Sequence, residues 1–227
     1  MDNIIVLATN NKNKVREFKE LLKDSPIVIK CLQDFGPLPE AVEDGETFDD
    51  NAYKKSFHYA RVLGVPCLAD DSGLVVDALD GRPGVYSARY AGENVTDREN
   101  CDKLLEEMRD QKKRSAHFQC VLSLATPGGP ALTWEGRCDG EITEERRGES
   151  GFGYDPVFFY PDFGKTFAEV PMSQKSEVSH RGRAMAEFAA EIDKVMVWLK
   201  QRMGEIKPEK PDHKEFEYND WSQERMV

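Results

Sequence analysis

The sequence predicts an α/β fold, and two observations carry that prediction. Short apolar runs suited to buried strands alternate with amphipathic helical stretches along the first part of the chain. Further on, two long strand-like runs flank Pro127-Gly128-Gly129-Pro130, a strong hairpin signal. At 227 residues, 39% of them hydrophobic, the chain is long enough for one compact unit or two lobes that share a core.

Residues 4–8 are an apolar run that fits a buried strand, and the polar segment Thr9-Asn10-Asn11-Lys12-Asn13-Lys14 follows at once. Val15, Phe18, Leu21 and Leu22 then recur at helix spacing until Pro26 breaks the pattern, and residues 27–32 offer a second strand. Residues 34–46, rich in Pro, Gly and acid, read as a loop. Thr47-Phe48-Asp49-Asp50 has the form of a capping box, so a helix starts there, with Phe48, Ala52, Tyr59, Ala60 and Leu63 on its inner stripe and Gly64 and Pro66 as stop signals. Residues 65–69 form a strand that feeds Asp70 and Asp71. Thr96-Asp97-Arg98-Glu99 repeats the capping pattern ahead of a helix whose face is Cys101, Leu104, Leu105 and Met108. The hairpin strands are residues 117–125 and 131–142, a short strand covers 156–160, and one long helix spans roughly residues 181–203. A first domain therefore covers residues 1–204. The segment 205–227 changes composition to a polar, Pro- and Lys-rich tail that cannot bury enough apolar surface to offset chain entropy, despite Phe216 and Trp221.

Charge and cysteine usage narrow the function. The 42 acidic and 31 basic residues leave a formal charge of −11, which opposes general attraction to nucleic acid or anionic membranes. A polyanionic small molecule would need a local basic cluster or a metal. No apolar run approaches the ~20 residues of a membrane span, and the start lacks the features of a secretory signal, so a cytoplasmic location is expected. Cys31, Cys67, Cys101, Cys120 and Cys138 are odd in number and never arranged as Cys-x-x-Cys, which fits reduced core residues.

Four segments carry chemistry. Residues 9–14 close a strand and open a helix, presenting amides and two ammonium groups where the helix dipole favours an anion; a capped helix with solvated lysines explains the same letters. Asp70 and Asp71 follow a buried strand, where a carboxylate can project into the crevice of an open sheet, and a hard cation would relieve their repulsion. An acidic turn closed by Ser72 and Gly73 is the competing reading. Glu43, Asp44 or Glu46 could add a metal ligand, and only one of Lys54 and Lys55, which diverge by about 100° on a helix, can face such a site. Gly151-Phe152-Gly153-Tyr154-Asp155-Pro156 joins flexible backbone, two rings and a carboxylate, which suits a flat nucleobase; it also suits a tight turn with core aromatics. Ser179-His180-Arg181-Gly182 can donate to a keto oxygen, or Ser179 can simply cap the last helix.

Taken in order, these segments strongly resemble the inosine triphosphate pyrophosphatase family, also called Ham1-like or ITP/XTP pyrophosphatases. The resemblance runs from about Ile4 to Trp198 and rests on Ala8-Thr9-Asn10 through Lys14, Glu43-x-Gly45-x-Thr47-Phe48, Asn51-Ala52-x-x-Lys55, Ala69-Asp70-Asp71-Ser72-Gly73-Leu74, Pro83-Gly84-Val85-Tyr86-Ser87-Ala88-Arg89-Tyr90, the Gly151 to Pro156 run and Ser179-His180-Arg181. Asp50, Ser56 and Ser176 depart from the commoner letters. The resemblance implies an elongated mixed β-sheet flanked by helices, two lobes with a central substrate cleft, and a homodimer. It also implies Mg2+-dependent hydrolysis of ITP, dITP and XTP to the monophosphate and pyrophosphate, which clears deaminated purine nucleotides from the pool. By motif position Asp71 is the general base, Glu43 and Asp71 serve the metal, and Thr9, Asn10, Asn11, Lys12, Asn13 and Lys14 bind the triphosphate. Lys55 pairs with phosphate, while Ser72, Phe152, Gly153, Tyr154, Asp155, Lys175, His180 and Arg181 contact substrate. Another nucleotide pyrophosphatase of the Maf-like kind, or a silent nucleotide sensor, are the rival readings.

Overall fold

A computed structural model of the chain describes residues 4–23 and 27–205. The expectation for the tail lies outside these residues, apart from Glu205. Seven strands form one mixed sheet: β1 (Ile4–Leu7), β2 (Val28–Cys31), β3 (Cys67–Val76), β4 (Ser115–Ala125), β5 (Ala131–Ile142), β6 (Phe158–Tyr160) and β7 (Lys165–Thr166), in the order β2-β1-β3-β4-β5-β6-β7. β1 runs parallel to β2 and β3, and every later pairing is antiparallel. The helices are α1 (Lys12–Leu21), α2 (Phe48–Leu63), α3 (Asp97–Glu107), α4 (Met172–Val178), α5 (His180–Ala190) and α6 (Ile192–Glu205).

The local signals act as their chemistry requires. Asn11 caps α1, its Oδ1 accepting from the amides of Asn13 (2.9 Å) and Lys14 (3.2 Å). Thr47 Oγ1 accepts from the Asp50 amide at 3.1 Å and Gly64 ends α2 in the left-handed region at φ 68°. Thr96 and Glu99 form a reciprocal capping box on α3. The hairpin forms as expected, Ala125 facing Ala131 across the turn.

Residue alternation along β3 assigns its two faces. Cys67 and Ala69 pack with Tyr59 and Ala60 of α2, while Leu68 packs with Met185 and Phe188 of α5, and Leu74 with Leu104, Phe118 and Phe158 at the other end of the sheet. The hydrophobic residues thus gather on two sides of the sheet's middle, which leaves a cleft between two lobes. Emptying any of the fully buried sites Phe18, Phe158, Phe167 or Phe188 to Ala would cost ~3–5 kcal/mol. All five cysteines are free and buried.

Two expectations need correction. Asp70 and Asp71 do not follow a strand; they lie inside β3, which continues to Val76 because β4 pairs with it along its whole length. The single helix expected over residues 181–203 is instead two, α5 and α6 separated at Glu191, and a further helix, α4, precedes them across a turn at Ser179. Glu191 is held to the sheet by its carboxylate, which accepts from Trp134 Nε1 at 3.0 Å, so the chain turns there without Gly or Pro.

Candidate active site

The cleft begins where β1 ends. β1 meets β3 only through Val6 with Cys67 and Leu7 with Leu68, so beyond Leu68 the β1 side of β3 is open while β4 covers the other. The chain leaving β1 passes this notch as residues 8–11, and α1 begins at Lys12. Such a position, at the carboxyl ends of parallel strands, is the usual ligand crevice of an α/β sheet.

Period-two alternation sends Asp70 and Asp71 to opposite faces. Asp70, 2% exposed, receives Arg181 Nε at 2.7 Å and is ion-paired with Lys14; Ser72 Oγ donates to it at 2.7 Å. Burial alone would raise its carboxyl, but Arg181 and Lys14 outweigh that and hold it well below the ordinary aspartate value. Asp71 faces α2, with Oδ1 3.8 Å from Lys55 Nζ and a buried Oδ2 that has no hydrogen-bond partner among the described residues. Burial pushes the Asp71 carboxyl up to about 6, against the pull of Lys55 and Lys14.

α2 also decides between its adjacent lysines. Lys55 points inward and pairs with Glu43 at 2.5 Å, whereas Lys54 points outward to Asp44 at 2.7 Å. Burial works against the Lys55 charge, but Glu43 and Asp71 more than restore it. Asn51 fixes the loop that carries Glu43, its Oδ1 accepting from the Gly45 amide at 2.8 Å. Glu43 and Asp71 therefore flank one ammonium from two elements.

The other end of the cleft is built on α5 and the glycine turn. α5 lies directly on β5 at Gly136, where a Cβ would stand 1.9 Å from the His180 carbonyl oxygen. This close approach seats His180 and Arg181, capped by Ser179 Oγ accepting from the Gly182 amide at 3.0 Å, against the sheet. Arg181 bonds Asp70, Glu17 and Ser72. His180 stacks on Phe118 at 4.7 Å, and its Nδ1 is buried without a partner among the described residues. Burial, reinforced by Arg181 and Lys175, keeps its pKa well below the ordinary histidine value, so the ring is neutral at pH 7. Asp155 accepts from the Phe152 amide at 3.0 Å and from Lys175 Nζ at 2.7 Å; its burial outweighs Lys175 and raises its pKa. Lys175 sits 4.6 Å from the centroid of Phe152, a partly exposed ring, while Tyr154 is buried and donates its hydroxyl to the Ser87 carbonyl at 2.9 Å.

A cavity of about 280 Å³ joins these parts: Thr9, Asn11, Lys14, Glu43, Lys55, Asp71, Ser72, Phe152, Gly153, Tyr154, Asp155, Lys175, His180 and Arg181 all line it. Asn10 and Asn13 instead line two adjoining hollows, and Lys12, exposed, lines none of the three. Sequence reasoning missed Glu17. It is 5% exposed on α1 and holds both Arg181 and Lys175. An acid next to Phe18 and one turn from Lys14, on a stripe otherwise apolar, was the available signal.

A mixed sheet notched beside a short parallel strand, with cations and carboxylates from both lobes converging in the notch, defines an α/β protein with one charged cleft at its centre. The chain belongs to the Ham1 family, that of the ITP/XTP pyrophosphatases: the Ham1 family model matches residues 5–191. It is 63% identical over 219 residues to a protein of Desulfotalea psychrophila named dITP/XTP pyrophosphatase, covering 96% of this chain and 98% of that one. A protein of the same name from Syntrophobacter fumaroxidans is 55% identical, over 88% of this chain and 86% of its own. Among solved structures, a HAM1 protein from Coxiella burnetii superposes with a TM-score of 0.80 at 42% identity, over 86% of this chain and all (100%) of that one. The Staphylococcus aureus Ham1 protein gives 0.77 at 40%, over 85% and 99%.

Proposed function

We propose that the chain is a Mg2+-dependent nucleoside triphosphate pyrophosphatase that hydrolyses ITP, dITP and XTP to the nucleoside monophosphate and pyrophosphate. The observation that carries this reading is Asp71: a half-buried carboxylate whose buried Oδ2 is unpartnered among the described residues, poised near neutral pH, in a cleft that also presents Lys14, Lys55, Lys175 and Arg181. The names of the relatives, dITP/XTP pyrophosphatase, support the same reaction.

Lys14 and Lys55 would meet the phosphates at the β1 notch. Asp71 would take the proton of a water that attacks, in line, the phosphorus of the anhydride bond that is cleaved, and the leaving oxygen would depart with that bond's electron pair. A base with a pKa of about 6 is ionised at pH 7 yet still basic enough to accept the proton. The donor set fits magnesium. Glu43 and Asp71 are two carboxylates around one ammonium, and no group of three or more His, Cys, Asp or Glu side chains among the described residues could hold an ion by itself. Magnesium commonly takes one or two carboxylates and completes its shell with water and substrate phosphate. When bound by Glu43 and Asp71, it would supply charge neutralisation on the phosphates.

At the base end Phe152 offers the accessible ring, and stacking of a base on an aromatic contributes ~1–3 kcal/mol. His180 has a hydrogen-bonding nitrogen to spare, whereas Arg181 is occupied by Asp70, Glu17 and Ser72. A neutral imidazole N–H can donate to a 6-keto oxygen; adenine would set its amino donor against that donor, at ~1–3 kcal/mol for the unmet pair. Assembly as a homodimer and a cytoplasmic location belong to the same proposal; among the described residues no helix is long and apolar enough to cross a membrane. The test is pyrophosphate release from ITP, XTP, dITP, ATP and GTP with and without Mg2+. Release from the first three that depends on Mg2+ is expected, and equal hydrolysis of ATP and ITP would refute the account of selectivity.

A further inference from the structure

The cations at the heart of the cleft already have carboxylate partners. Lys14 is paired with Asp70, Lys55 with Glu43, Lys175 with Asp155, and Arg181 with Asp70 and Glu17. A phosphate that calls on any of them competes with a resident carboxylate. Arg89 differs: it lines the same cleft, and its guanidinium makes no ion pair or hydrogen bond with any described residue. It lies over the ring of Tyr86, with Cζ 5.2 Å from the centroid, and Tyr86 itself is 58% exposed. A guanidinium resting on an aromatic face keeps its in-plane N–H donors available, and that planar fork matches two phosphate oxygens.

The backbone beneath Arg89 is fixed in relation to both ends of the cleft. It ends the 3-10 turn Gly84–Arg89, in which Ser87 Oγ donates to the Gly84 carbonyl at 2.6 Å and accepts from the Leu74 amide of β3 at 2.9 Å. The Ser87 carbonyl in turn accepts the Tyr154 hydroxyl. Gly73 makes this seating possible, since a Cβ there would stand 2.4 Å from the Gly84 carbonyl oxygen. Arg89 is therefore carried on a turn seated on β3 two and three residues past Asp71, at Gly73 and Leu74, and tied to the glycine turn that bears Phe152. On a chain of net charge −11, an uncompensated guanidinium at the cleft also gives an approaching polyanion a local attraction.

We propose that Arg89 is a substrate-binding residue that takes phosphate oxygens of the nucleoside triphosphate, the fifth cation of the cleft and the one that needs no carboxylate displaced. This rests on the triphosphate reading given above. Its test is direct binding of pyrophosphate and of inosine to the full chain by calorimetry, in wild type, Arg89→Gln and Arg89→Lys. Arg89→Gln removes the charge and its stacking on the exposed Tyr86 ring but no ion pair or hydrogen bond, so its melting temperature should fall by no more than about 2–4 °C. Pyrophosphate affinity should fall about tenfold or more, as expected for loss of a charged hydrogen bond, with inosine affinity unchanged and Arg89→Lys between the two. In turnover the same variant should raise KM for ITP while keeping kcat. Unchanged pyrophosphate affinity in folded Arg89→Gln overturns the proposal, and so does a loss confined to inosine. A wild-type protein that binds pyrophosphate through Arg89 but releases none from any triphosphate would overturn the enzymatic reading and leave this one standing.

Discussion

Asp70 and Asp71 are the same residue twice in succession, and β3 gives them opposite surroundings. On one face Asp70 is enclosed by Arg181, Lys14 and Ser72, with its charge matched and its pKa held down. On the other, Asp71 has an ammonium only at 3.8 Å, an oxygen without a partner among the described residues, and a pKa pushed up to about 6. The difference separates two tasks. Full satisfaction makes a carboxylate a structural anchor, whereas incomplete satisfaction leaves one with something still to bind or accept.

The strongest way to break this comparison is to neutralise each in turn. Asp71→Asn should reduce turnover by roughly 10²–10⁴-fold, the usual contribution of a positioned general base, while the urea midpoint does not fall, because no hydrogen bond is lost and burial already disfavours the Asp71 charge. Asp70→Asn should do the reverse in kind: it strips Lys14 of its ion pair, leaves Arg181 with Glu17 alone, and should cost ~3–5 kcal/mol of unfolding free energy, read from the same titration. If Asp71→Asn destabilised as much as Asp70→Asn, the two faces would not be functionally distinct.

Much of this fold was legible in the sequence because its signals are local. The Asn11, Thr47 and Thr96 caps, the Gly64 stop and the Pro127 to Pro130 turn each act within a few residues. The division between Asp70 and Asp71 was not legible. Asp, Asp, Ser and Gly have low strand propensity and together imitate a turn, so the strand seemed to end before them. What keeps them extended is pairing with β4 and a guanidinium supplied by Arg181, 111 residues away. The choice of Lys55 over Lys54 was likewise open until α2 could be oriented by Ala52, Tyr59 and Ala60 in its core-facing stripe. Glu17 was passed over because a local window shows an acid on a helix, not the two cations that meet it from α4 and α5.

Glu17 sharpens the comparison by acid. Burial would raise its carboxyl, but Arg181 and Lys175 outweigh burial and hold it below the ordinary glutamate value. A carboxyl with a lowered folded pKa contributes stability that is complete above its unfolded pKa, about 4.3, and that is lost as pH falls through the folded value. Glu17→Gln should therefore be less stable than wild type by a constant margin between pH 7 and 5, smaller than that of Asp70→Asn because Asp70 and Asp155 still partner the two cations. Below about pH 4.3 the margin should narrow. Urea midpoints measured from pH 7 to pH 3 check this; a margin that persists unchanged to pH 3 would separate Glu17 from the network.

Ser72 offers the finest test, because it shares Asp70's face yet lines the same cavity as Asp71. Its hydroxyl donates to Asp70 Oδ1 at 2.7 Å and accepts from Arg181 Nη2 at 3.3 Å, so it adjusts the anchor and not the base. Ser72→Ala removes one hydrogen bond to a charged pair that is otherwise retained, which should lower stability by ~1 kcal/mol and the melting temperature by about 2–4 °C for a chain of this size. Contact between this hydroxyl and substrate would appear separately, as a raised KM. In either case kcat should be kept, since the Asp71 carboxylate loses no partner. A fall in kcat approaching that of Asp71→Asn, with the melting temperature unmoved, would place Ser72 with the reactive carboxylate and show that the division between the two faces of β3 does not hold at its boundary.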